Sequence, residues 1–359
     1  MIKTTHSMIK EGYTKRKKRM ISVNIILFAL TLGLCGVMLL YGKTNYSLST
    51  VVRVLSGEEI QGATFTIGTL RLPRMLCGLL AGLAFGIAGN TFQTMLRNPL
   101  ASPDIIGISS GASVAAVFCI LVLHMSGSGV SIAAVISGIL VSGLIYMFSK
   151  GSGFSGGRLI LIGIGMQAML NALISFLLIK ASEHDVSKAL TWLNGSLNGM
   201  SMKDVPGLLV VVIIFGVIIL CLTNHLQILE LGDEFATTLG IKINLIRIAL
   251  ILSSVFLIAF ATAVTGPIAF VAFLSGPISA RLVGLGAPNV LASGLVGALL
   301  VLGADMIGQF VFSTRFPVGV ITGILGAPYM LLLLITINRR GQACLLYTSL
   351  MARGRRVDL

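Results

Sequence analysis

One carboxylate, Asp305, stands in VLGADMIGQF, well inside an apolar stretch and with no cation beside it in the sequence. An ionisable group in lipid is costly. It either works, for example as a proton carrier, or is neutral or hydrogen-bonded in a packed helix. Both readings stand on the residue alone. Two cations, Arg71 and Arg74, share RLPR at the head of another apolar run. Such a pair can attract an acidic partner or contact lipid headgroups. A third group is QILELGDEFATTLGIKIN (227–244), the longest polar interruption expected on the inner face between the first and last apolar runs. Asp233 suits an N-cap, Glu234 a first turn and Gly240 a helix stop, which predicts a helix of about two turns. Phe235 and Leu239 on that helix suit docking to a soluble partner better than a solvated loop. The fourth group is QTMLRNPLASPDIIGISSGAS (93–113), where Arg97, Asn98, two prolines, Asp104 and a Gly/Ser cluster interrupt a chain of mostly apolar residues. Pro99 and Pro103 break a helix there; on physics alone the segment is as well read as a structural turn as a gate.

Other chemistries lack their residues. His6, His124, His184 and His225 are scattered without metal-ligand spacing, and Cys35, Cys77, Cys119, Cys221 and Cys344 show no C-x-x-C pair. No G-x-x-x-x-G-K-[ST] phosphate loop occurs, so FSGGR (154–158) has no nucleotide site to serve. The chain holds only 12 Asp and Glu, most of them in loops, with no carboxylate pair or nucleophile–base set at useful spacing. The sequence reads as a protein that is not an enzyme by itself.

The elements that must position these groups are membrane spans. Of 359 residues 55% are hydrophobic and only 11% charged, against roughly 25% charged in soluble domains, and the mean hydropathy is +0.98. Apolar runs near the roughly 20 residues needed to cross a bilayer predict helices at 21–42, 70–92, 104–123, 130–149, 158–180, 205–224, 245–263, 267–283, 289–311 and 318–337. The predicted class is therefore all-α: a polytopic membrane protein of about ten transmembrane helices. The third and eighth helices are interrupted by Gly and Pro. Small residues recur, as in GLLAGLAFGIAG (78–89) and GLVGALLVLG (294–303), and let helix backbones approach closely. Helices two to five and seven to ten enter from opposite sides, which allows an inverted repeat. Trp192 near a span end suits an interface anchor.

The net charge of +14 has a membrane explanation. If both termini lie inside, 18 of the 26 Lys and Arg fall on inner segments, seven of them in residues 1–20. That bias obeys the positive-inside rule and removes the need for nucleic acid as a partner. The domain reading is a basic cytoplasmic segment 1–20, one transmembrane domain 21–338 and a tail 339–359.

RLPR (71–74), then GxxxQxxxRNPLASPDIIGISSGAS from Gly89 to Ser113, resembles the hallmark of FecCD-type permeases. These are the membrane subunits of ATP-driven importers of iron–siderophore complexes, haem and vitamin B12. The match continues through WLNGSL (192–197), LGDEFATTLGI (231–241), GPIAFVAF (266–273), ARLVG (280–284), GAD (303–305) and FPVGVITGILGAPY (316–329), in family order.

The resemblance implies ten helices per subunit and two permease subunits side by side around a shared path. It implies two cytoplasmic ABC ATPases that bind ATP and magnesium, no cofactor in this chain, and a periplasmic or lipid-anchored binding protein. Residues 227–241 become the coupling segment, with Leu231, Gly232, Asp233, Ala236, Leu239 and Gly240 on the ATPase; Arg71 and Arg74 meet the binding protein; Asn98, Leu100, Ser155, Gly156 and Gly157 form a cytoplasmic gate. The setting is a bacterial cytoplasmic membrane with both termini inside.

Gly276-Pro277-Ile278-Ser279-Ala280-Arg281 replaces the family's common Pro-His-x-x-Arg, Gln309 stands where arginine is frequent, and Arg315 where an acidic residue is. These departures resemble the ferric-siderophore branch and a pore shared with a second, non-identical permease. The expected function is passage of a ferric siderophore by alternating access. Haem or vitamin B12 passage, or an ion-coupled transporter using Asp305, are the alternatives. The tail from about 341 does not resemble a family terminus.

Overall fold

The computed structural model describes residues 2–149, 156–284, 289–333 and 335, and these contain helices and loops but no strand. The tail 339–359 lies outside the described residues. Among the described residues six helices are long and apolar enough to cross a membrane, a bent pair makes a seventh such segment, and three shorter apolar helices follow the same pattern. The ten predicted spans each meet one of these.

Helix α1 (Ile2–Leu40) is much longer than the expected first span. Its 39 residues reach about 58 Å at 1.5 Å each, nearly twice the thickness of a hydrocarbon core. The basic stretch 15–19 is rich in Lys and Arg, good helix formers, so nothing stops the helix there. Arg19 then turns back to the far end of helix α12 (Val271–Val283), donating to the carbonyls of Leu282 (2.9 Å) and Arg281 (3.0 Å). A guanidinium on the last carbonyls of a helix satisfies acceptors that have no partner within it.

A capped helix α2 (Leu48–Leu55) follows, and then one π-helical stretch, Phe65–Arg71, that runs straight into α3 (Leu72–Met95). Pro73 sits in the first turn of α3, where a missing N–H costs nothing. This long segment is the axis of the bundle and is mostly buried within the protein. Around it pack α8 (Val205–Cys221), α11 (Ile243–Thr265), α12 and α13 (Val290–Phe310). The contact is made by small residues: Gly82 lies against Gly297 and Ala298, Gly86 against Ser293, and Gly89 against Ala272. A Cβ on Gly86 would come within 2.1 Å of the Ser293 carbonyl oxygen. Gly86→Val therefore forces α3 and α13 apart. A loss of about 1–3 kcal/mol is expected, the cost of overpacking, read as a lower melting temperature in detergent. Gly143→Ala, at a site with nothing within 4 Å, should leave it unchanged or slightly raised.

After α3 the chain breaks before its prolines. Leu96 is the C-cap and Arg97 takes a left-handed conformation (φ 53°), ahead of Pro99. The third predicted span begins as a 3-10 turn (Pro103–Ile106) capped by Ser102 and continues as α4 (Ile108–Leu121). Helices α5 (Ser128–Ser149) and α6 (Gly156–Lys180) pack beside it. Helix α7 (Glu183–Leu193) is short and capped by Ser182, whose hydrogen bond, followed by Lys188, holds the Asp185 carboxyl below its usual range. Trp192 at its end, half-buried, packs onto Ala112, Ala134 and Ala263.

The sixth predicted span is bent: α8 ends at Cys221 and α9 (Thr223–Glu230) leaves it at 53°. Helix α10 (Asp233–Thr238) is a separate short turn. The eighth predicted span starts late, since Phe270 is left-handed (φ 64°) and α12 begins only at Val271. Helix α14 (Val318–Leu333) completes the bundle.

Candidate functional site

Polar side chains gather at two places, one at each end of α3. At the end that begins with Leu72, Arg74 donates twice to Asp305 on α13, from Nε to Oδ2 (2.8 Å) and from Nη2 to Oδ1 (2.6 Å). Its Nη1 donates to Asn198 Oδ1 (2.7 Å), and Gln309 Nε2 donates to Asp305 Oδ2 (2.7 Å). The Asp305 side chain is 1% exposed and that of Arg74 15%. Asp305, with no cation beside it in the sequence, thus has one in the fold. Its partner comes from 231 residues away and forms the bidentate, charge-assisted geometry that arginine favours. Gln309, a departure in the sequence, is a member of the same network.

Arg71 does not share this contact. It donates to the carbonyls of Leu39 (2.7 Å) and Thr44 (2.5 Å) and lies over the Tyr46 ring, tying off the end of α1. Both arginines are therefore engaged within the chain. Nearby, Ser196 N donates to Thr265 O (2.7 Å) and Gly319 N to Gly195 O (3.2 Å). WLNGSL, GPIAF and FPVGV, far apart in sequence, meet here. A cavity of about 330 Å³ beside them is lined by Lys188, Trp192, Asn198, Asp204 and Ala263.

At the other end of α3, Asn98 folds the RNPL turn on itself: its side chain accepts from Leu100 N (2.9 Å) and its carbonyl from Ala101 N (3.0 Å). Asn98 and Leu100 are half-buried. Gly156, at the start of α6, borders Leu96, so three of the five expected gate residues come close to one turn; Gly157 is exposed, and Ser155 lies outside the described residues. A cavity of about 460 Å³ opens here between Asn90, Gln93, Arg97, Asn98, Glu230 and Asn289. The buried Asn90 amide nitrogen has no hydrogen-bond partner.

The 231–240 segment borders this turn. Leu231, Phe235 and Leu239 are 65%, 65% and 62% exposed, whereas Ala236 is fully buried. Spacing of four residues puts Phe235 and Leu239 on one side of α10 and Ala236 on another, with Leu231 just before the Gly232 break. Ala236, expected at an external contact, faces the bundle instead. Gly232, not Asp233, is the N-cap of α10; Asp233 is its first helical residue, and its carboxylate is bound by Arg247. Gly240 ends the helix in a left-handed conformation (φ 75°), as its type suggests. Arg97 and Arg247 were missed in sequence reasoning. Arg97 stands in the RNPL motif, but neither residue signals its partner. Among the described residues no group of three His, Cys, Asp or Glu comes together.

Known proteins resemble the chain over nearly all of this architecture. The ferric enterobactin transport system permease protein of Escherichia coli (strain K12) is 33% identical over 91% of the chain and 99% of its own length. The Fe(3+)-citrate import system permease protein of Bacillus subtilis (strain 168) is 35% identical over 89% of the chain and 97% of its own length. A solved metal-chelate type ABC transporter in an inward-facing conformation superposes with a TM-score of 0.78 at 27% identity, covering 88% of this chain and 99% of that one. The model of the FecCD transport family matches residues 25–336, which takes in both polar assemblies, and the chain belongs to that family.

Proposed function

We propose that the chain is the permease subunit of an ATP-driven importer that passes a ferric siderophore across a bacterial cytoplasmic membrane by alternating access. It is a transport subunit, with ATP hydrolysis left to two partner ATPases. A second permease completes the pore, and a binding protein delivers the cargo at the Arg74 end. The observation that carries the reading is the exposed apolar face of Leu231, Phe235 and Leu239 beside the RNPL turn. A six-residue helix with that much unburied apolar surface is a docking element for a soluble partner. The Arg97 end is then cytoplasmic, in keeping with the basic bias of the segments there.

Chelate specificity at family level follows from the relatives, which are described as permeases for ferric enterobactin and Fe(3+)-citrate. Arg71 and Arg74 are held by partners of their own chain, so their part toward the binding protein is to shape that end as well as to charge it. The Arg74–Asp305 pair gives Asp305 a structural tie in place of proton carriage.

The test is uptake of iron-55 chelate into vesicles holding this chain with its partner permease, ATPase and binding protein. Uptake that requires ATP, and persists when the proton gradient is collapsed, is the expected result. Uptake by this chain alone, or uptake lost with the gradient while ATP is present, overturns the reading.

A further inference from the structure

The short helix α10 is too small to keep its shape unaided, since isolated helices below about 12 residues are marginal. Something must hold it to the bundle if a push on its exposed face is to move anything. The buried side of the segment offers two attachments. One is Ala236, which is fully buried. The other is the Asp233 carboxylate, which points toward two guanidinium groups, one from α11 and one from the turn after α3. Arg247, buried in the first turns of α11, places Nη2 at 2.9 Å from both carboxylate oxygens. Arg97, on the turn that ends α3, places Nη2 at 3.6 Å from Oδ1. Arg97 is held in the left-handed region that a residue with a side chain rarely adopts, a conformation the surrounding structure must impose. Gly232, just before Asp233, has φ 120° and lies where a Cβ would come within 3.3 Å of Arg97 Nη1. That backbone favours glycine.

We propose that Asp233 is a positioning residue, the junction through which displacement of α10 reaches α3 and the RNPL turn by way of Arg97, and α11 by way of Arg247. The inference rests on the reading of α10 as the ATPase-docking element. A carboxylate shared by two cations on separate helices makes the three elements move together. Losing it leaves the docking face intact but disconnects it from the turn that carries Asn98 and Leu100. Arg97 follows α3 directly, so the same contact links the docking helix to the axis of the bundle. The apolar face and the charged junction thus divide the labour: Leu231, Phe235 and Leu239 receive the partner, and Asp233 passes the movement inward.

The experiment uses the complete vesicle-reconstituted importer and reads iron-55 uptake per ATP hydrolysed, with ATPase co-purification as a check on assembly. Asp233→Asn keeps the shape and removes the charge; Arg97→Gln, at an exposed site, removes one of the two cations. Both are expected to lower uptake per ATP by about tenfold, within the range of site-to-site coupling factors, while the ATPase still co-purifies. Asp233→Glu, which keeps the carboxylate, is expected to recover most of the ratio. A merely structural role would lower assembly and hydrolysis together and leave the ratio unmoved. An unchanged ratio in Asp233→Asn and Arg97→Gln, with wild-type uptake dependent on ATP, overturns the junction alone. Wild-type uptake that needs no ATP overturns the junction together with the reading on which it rests.

Discussion

Asp305→Ala is expected to lower the stability of the folded protein by about 3–5 kcal/mol, the usual cost of breaking a buried ion pair from one side. The reason is asymmetric. Arg74 would keep only Asn198 as a partner, in a site where the carboxylate had supplied two charge-assisted bonds. Asp305→Asn keeps the shape but offers a single neutral acceptor, so most of the loss should remain. Arg74→Met combined with Asp305→Leu removes both charges and should recover most of the stability, because well-packed apolar residues often replace a buried pair without loss. Thermal melting of the four proteins in detergent checks this. The exposed pair Arg53–Glu58 is the control: Glu58→Ala should melt with the parent, as solvent-screened pairs contribute little. Equal melting of Asp305→Ala and the parent would show that the tie carries no net weight.

That pair also marks where sequence reasoning stopped. Each apolar run announces a span because lipid demands about 20 apolar residues wherever it is crossed, and a run needs no partner to be recognised. An ion pair does. Asp305 and Arg74 are 231 residues apart, and neither neighbourhood indicates the other. The same holds for Asp233, Arg97 and Arg247, which converge only because the end of α3 and the start of α11 lie side by side.

Helix ends were legible where one residue type decides them, as at Gly240, and illegible where tertiary contact does. Phe270 is left-handed without any glycine to announce it, and α1 runs through its basic stretch because those residues favour helix as well as charge. Small residues in 78–89 and 294–303 signalled close packing. That Gly86 would meet Ser293 follows only from the register of two helices that the sequence leaves open.

The 231–240 segment combines both cases, and under the proposed function it carries the largest effect expected on assembly. Phe235→Glu should cut the affinity for the ATPase subunit by roughly 30-fold or more, which is the weight of a central aromatic anchor, about 2 kcal/mol and upward. Phe235 spends nothing on the fold of this chain: it is 65% exposed, beside Leu231 and Leu239 at similar exposure. An aromatic ring at the centre of such a patch contributes apolar area at little entropic cost, and a carboxylate in its place would have to be desolvated on docking. Melting of the isolated permease should therefore be unchanged while the ATPase no longer co-purifies. Ala236→Glu, one residue on, should do the reverse, since it drives a charge into a fully buried site and should lower the melting temperature before any partner is added. The pair of results separates a contact surface from a core position within one helical turn. If Phe235→Glu retained the ATPase at wild-type affinity, the exposed face would not be where the partner sits, and the drive would have to enter the bundle elsewhere.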